Sequence, residues 1–133
     1  HQILKIEAQK DAIREILQLW VDINSGSGNL EGLDRMMNAL KSAFEPLGGE
    51  VEEIQLKPIV LVDSSGNEHA QNVGKALRIR KRKSAPFQIL LAGHMDTVYP
   101  ASSKFQTFEE IDSNIYRGPG CTDMKGGLLI LLK

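Results

Sequence analysis

Two glycine-bounded segments near the end of the chain constrain its fold more than anything else in it: Gly93-His94-Met95-Asp96-Thr97-Val98, and Gly118-Pro119-Gly120-Cys121-Thr122-Asp123-Met124-Lys125-Gly126-Gly127. The first follows the apolar run Ile89-Leu90-Leu91-Ala92, which reads as a buried strand; the second leads into Leu128-Leu129-Ile130-Leu131-Leu132, which reads as a helix. A strand and a helix joined to polar residues through glycine turns specify an α/β fold. Its chemistry then falls on a rim, at the carboxyl end of a strand, and not in a core.

The residue types on that rim suit a metal. A neutral imidazole binds zinc through one ring nitrogen, and the tautomer that leaves it free is fixed when a carboxylate holds the other N–H. Asp96 lies two positions beyond His94, which in extended chain returns it to the same side. Asp123 offers a hard oxygen ligand in the second turn, and a carboxylate with two oxygens can bridge two ions. Two ligands do not complete a zinc site.

Together the segments resemble the signature of the di-zinc amidohydrolase and carboxypeptidase family that includes glutamate carboxypeptidase, acetylornithine deacetylase, succinyl-diaminopimelate desuccinylase and the aminoacylases. His94 and Asp123 stand 29 residues apart, similar to the separation of the metal-binding His and bridging Asp in the carboxypeptidase branch. Leu17 to Leu33, enclosing Asn24-Ser25-Gly26-Ser27-Gly28-Asn29, resembles the helix-loop-helix that opens the family's catalytic domain. Tyr99-Pro100 and Tyr116-Arg117-Gly118-Pro119-Gly120 are similar to the glutamate carboxypeptidase branch in particular. The chain departs from the pattern at Cys121, before Thr122, and over 57–71, which reads as a longer connection than usual.

The resemblance implies that residues 1–133 are the N-terminal portion of a three-layer α/β/α zinc-peptidase catalytic domain with a mixed sheet. It implies that His94 binds one of two zinc ions, that Asp96 is the catalytic-site acid that orients His94, and that Asp123 bridges both ions after a cis peptide to Met124. Cobalt or manganese can substitute for zinc in such sites. A glutamate pair supplying the general base, the remaining ligands, and an inserted domain for dimerisation and closure over substrate are expected beyond Lys133. The chain alone is therefore expected to be inactive and to hold zinc weakly or not at all, since a zinc ion takes at least three protein ligands. The reaction implied is hydrolysis of an amide bond in a peptide or N-acyl amino acid, with C-terminal glutamate the first substrate to test.

Other readings share these residues. A deacetylase or desuccinylase of the same family would look the same to Lys133, as would a non-catalytic homologue without the glutamate pair. The run Arg78-Ile79-Arg80-Lys81-Arg82-Lys83 raises a nucleic-acid module. Leu77 and Ile79 alternate with Arg78 and Arg80 as on a half-exposed strand, and no aromatics interleave, so the run reads as a solvated hairpin end. Cys121 has no base in register and reads as a bystander rather than a nucleophile. His69 falls in a polar loop facing solvent, and Met36-Met37 reads as core.

Sixteen basic and 17 acidic side chains leave a net charge of −1, which selects no polyanion and no membrane surface as partner. No apolar run approaches the ~20 residues of a membrane span. A start at His1 and a single cysteine leave the compartment open, cytoplasmic or, after removal of a leader, periplasmic or secreted.

Periodicity completes the expected layout. Ile13, Ile16, Leu17 and Trp20 mark an amphipathic helix over about 3–21. Leu33, Met37, Leu40, Phe44 and Leu47 mark a second, N-capped by Asn29 and closed by Pro46 and Gly48-Gly49. Strands are expected over 50–56, 72–80 and 87–92, with a turn at Ser64-Ser65-Gly66-Asn67.

Overall fold

The computed structural model describes residues 7–133. Helix α1 spans Lys10–Val21 and α2 spans Leu30–Phe44. A single 3₁₀ turn, Glu45–Leu47, follows with Pro46 in its first positions, where a missing N–H costs nothing. The strands are β1 (Glu50–Ile54), β2 (Ile59–Val62), β3 (Glu68–Gln71), β4 (Ala76–Arg80), β5 (Glu109–Asp112) and β6 (Ile115–Arg117). A π-turn, Cys121–Lys125, then opens the short helix α3, Gly126–Leu132.

Both long helices follow their apolar period. On α2 the stripe Leu33, Met36, Met37 and Leu40 is buried, and Asn29 caps it by accepting a 3.1 Å hydrogen bond from the Gly32 amide. The stripe fades at Phe44, and Leu47 faces outward. The part of the first expected helix before residue 7 lies outside the described residues. Trp20, Met36, Leu40, Leu128 and Leu129 form the core where α1, α2 and α3 meet, with Leu77 and Met95 packed against it. This is a helical core carrying small sheets, a mixed α/β arrangement.

Among the described residues the strands make three separate antiparallel pairs, β1–β4, β2–β3 and β5–β6, rather than one mixed sheet. The pairing of β1 with β4 sets Glu50 opposite Arg80 and Glu52 opposite Arg78. Both arginines bond those carboxylates, and Lys83 pairs with Glu50, so much of the basic run is neutralised across the β1–β4 pair; the hairpin expected between 72–80 and 87–92 does not form, since 87–92 is no strand. The expected alternation of half-buried Leu77 and Ile79 with exposed arginines holds.

Three expectations need correction. Residues 87–92 form no strand, and Phe87, Ile89 and Leu90 are 86–89% exposed. A strand is stabilised by a neighbour's ladder, and none of the described strands pairs with this segment. The connection over 57–71 is not merely long: it is the hairpin β2–β3, turned at Asp63, whose Oδ1 accepts from the Ser65 and Asn67 amides. His69 accordingly sits on β3, though still exposed.

Candidate metal-binding cleft

The site is assembled from three pieces of backbone. His94 and Asp96 lie on the extended segment after Gly93, Asp123 lies in the π-turn before α3, and the loop Asn24–Asn29 runs between α1 and α2 beside the first of them. The loop joins that segment through a parallel bridge between Gly26 and Thr97: the Thr97 amide donates to Ser25 O at 2.9 Å, and the Ser27 amide to Thr97 O at 3.0 Å. Glycine is required at the bridge, since a Cβ on Gly26 would stand 2.4 Å from Tyr99 O. Gly120 enters the π-turn at φ +79, a left-handed conformation that side chains rarely adopt.

These pieces bring His94, Asp96 and Asp123 together. His94 Nδ1 lies 3.0 Å from the backbone oxygen of Asp96 and 3.2 Å from its Oδ1, so this nitrogen is the N–H donor. His94 Nε2 faces Asp123 Oδ1 at 2.9 Å. The Asp123–Met124 peptide is cis. Burial pushes the imidazole pKa down, but the hydrogen bonds and charges of Asp123 and Asp96 outweigh it and raise the value above its ordinary one.

The three residues edge an open cleft of about 310 Å³. Tyr99 and Phe105, packed edge to face with centroids 5.0 Å apart, and Tyr116, stacked on Phe108 at 5.3 Å, form aromatic walls. Arg117 stands at the rim, its guanidinium held by Glu109 across β5–β6. Cys121 also lines the cleft. Burial, the largest influence, raises its thiol pKa, which disfavours the nucleophilic thiolate at neutral pH.

Two contributors escaped the sequence reading. Ser27, in what reads as an ordinary Ser/Gly loop, donates to Asp96 Oδ2 at 2.7 Å. Lys125, which the sequence reading passed over, is 1% exposed and donates from Nζ to Trp20 O and Ile23 O. A hydroxyl between two glycines gives a faint signal for the first; nothing local marks the second.

An imidazole nitrogen and a carboxylate oxygen facing each other at the edge of an exposed cleft are donor types that a divalent metal ion accepts. Over 124 residues, 93% of this chain, the sequence is 27% identical to carboxypeptidase G2 of Pseudomonas sp. (strain RS-16), a distant likeness to a peptidase-type hydrolase. The chain spans 27% of that protein's length. No protein-family model matches the chain.

Proposed function

We propose that this chain contributes the first ligands of a zinc-dependent hydrolase that cleaves an amide bond in a peptide or N-acyl amino acid, in the manner of a carboxypeptidase. The observation that carries the reading is the pairing of His94 Nε2 with Asp123 Oδ1 at 2.9 Å while Nδ1 is held by Asp96. The likeness to carboxypeptidase G2 over 93% of the chain supports the same class of reaction. In this reading residues 1–133 belong to a three-layer catalytic domain, with a dimerising inserted domain elsewhere in the protein.

The donors fit part of a zinc site. Nε2 is the nitrogen left free of backbone, and Asp123 is an exposed carboxylate beside it. Among the described residues no group of three His, Cys, Asp or Glu side chains is placed to hold a metal ion, and zinc takes at least three protein ligands, so this reading calls for further ligands beyond His94 and Asp123. Bound zinc would polarise the scissile carbonyl and acidify a water. The chain's own work is positional. Asp96 holds the His94 tautomer with Nε2 toward the cleft, Asp123 sets a carboxylate against it, and the aromatic walls exclude water from one side of the substrate.

The test is hydrolysis of N-acyl and C-terminal glutamyl substrates by zinc-loaded full-length protein, before and after chelation. Turnover lost on chelation and restored by zinc is expected, with Asp123→Asn far below the parent because a carboxamide is a poor ligand between cations. Turnover that survives metal removal, or a fully active Asp123→Asn variant, overturns the reading.

A further inference from the structure

Asp96 can orient His94 only if something orients Asp96. The carboxylate has two oxygens and both are engaged: Oδ1 lies 3.2 Å from His94 Nδ1, and Oδ2 accepts a 2.7 Å hydrogen bond from Ser27 Oγ. An O–H to carboxylate contact of that length is charge-assisted and stronger than the alternative open to the same hydroxyl, Thr97 O at 3.3 Å. Turning the Asp96 carboxylate away from His94 would break the Ser27 bond.

The backbone that carries Ser27 is itself fixed. Its amide donates to Thr97 O, Gly26 is pressed against Tyr99 O, and Asn24 Nδ2 donates to Tyr99 O at 3.1 Å. The neighbouring hydroxyl works differently. Ser25 is fully buried and donates to Met95 O at 2.7 Å, joining two backbone segments, whereas Ser27 is exposed and touches the carboxylate that holds the Nδ1 side of the imidazole. We propose that Ser27 is a positioning residue for the candidate metal centre: through Asp96 it holds His94 with Nδ1 protonated and Nε2 presented to the metal. The proposal rests on the hydrolase reading for its purpose, but its geometry stands on the hydrogen bonds from Ser27 to Asp96 and from His94 to Asp96.

A merely structural hydroxyl would show itself in stability, and a positioning one in the imidazole. The experiment therefore uses full-length protein with ¹⁵N-labelled histidine, the His94 signals being assigned by their loss in His94→Gln. Ser27→Ala should keep the parent's melting temperature within about 2 °C, as exposed substitutions do. It should nevertheless move the His94 ring ¹⁵N shifts toward a mixture of tautomers and weaken zinc binding by about three- to tenfold, less than the 10 to 100-fold typical of direct partners of a ligand. Ser27→Thr, which keeps the hydroxyl, should restore both, and Ser25→Ala should lower the melting temperature.

Unchanged ring shifts and zinc affinity in Ser27→Ala overturn the proposal. So does a fall in melting temperature equal to that of Ser25→Ala, or a failure of Ser27→Thr to rescue. The hydrolase reading fails separately, through absence of zinc-dependent turnover in the parent, and that result leaves the shift comparison intact.

Discussion

The ammonium of Lys125 donates a 2.8 Å hydrogen bond to the carbonyl of Trp20, 105 residues earlier in the chain. With a second bond to Ile23 O at 2.7 Å it satisfies carbonyls at and just beyond the end of α1, where the helix dipole favours a cation. Burial pushes the Lys125 pKa down to about 8, against the opposing charges of Cys121 and Asp22. The same lysine stands two residues beyond Asp123, so it ties the turn carrying one candidate ligand to the loop that braces the other.

Replacing it tests that tie. Lys125→Met keeps most of the stem's packing but removes both bonds, leaving Ile23 O without its donor and Trp20 O with the 3.3 Å bond from the Ile23 amide, which should lower stability by about 1 to 3 kcal/mol in urea unfolding. An unchanged midpoint would show that water satisfies both carbonyls and that the buried ammonium is dispensable.

Glycines in the loop after α1 make opposite predictions. A Cβ at Gly26 would sit 2.4 Å from Tyr99 O, whereas one at Gly28 meets nothing within 4 Å. Gly26→Ala should push the loop off the extended segment and cost about 1 to 3 kcal/mol, by overpacking against backbone. Gly28→Ala should be neutral within about 0.5 kcal/mol. Equal melting temperatures for the two variants would contradict the bridge between Gly26 and Thr97.

Helices were legible in the sequence because an amphipathic period is local information: Leu33, Met37 and Leu40 point one way whatever surrounds them, and Asn29 announces its cap. So was the turn at 64–67, through its own polar residues. The candidate ligands could be read because His94 and Asp123 each stand in a glycine turn with distinctive neighbours. What could not be read depends on partners far along the chain. Hairpin β5–β6 is short, with β5 almost wholly polar, and Lys125 is buried only because α1 ends beside it.

Residues 87–92 show the same limit in reverse. Their composition asks for a buried strand, yet Leu90 is 89% exposed here, while Met36 is fully buried. Leu90→Ser should therefore change this chain's stability by no more than about 0.5 kcal/mol. Met36→Ala should cost about 2 to 5 kcal/mol through lost transfer energy and the cavity left between helices. Denaturant titration of the two variants side by side decides the matter. A Leu90→Ser loss as large as that of Met36→Ala would place the segment in the folding core of this chain.

The pairing of His94 with two carboxylates also predicts a pH dependence. Burial lowers its pKa, but the Asp123 and Asp96 contacts win and raise the folded-state value above that of the unfolded chain. A group shifted in that direction stabilises the fold fully below the unfolded value, near 6.5, and the contribution is lost as pH rises through the folded value. Metal-free protein should thus lose a component of stability on going from pH 6 to above neutrality, and His94→Gln should remove that component. Zinc competes for the same Nε2, so its binding should release a proton and tighten with rising pH over the same window. Calorimetry in buffers of different ionisation enthalpy counts that proton. Binding without proton release, or a stability profile identical in His94→Gln, would mean that Nε2 does not carry the proton shared with Asp123.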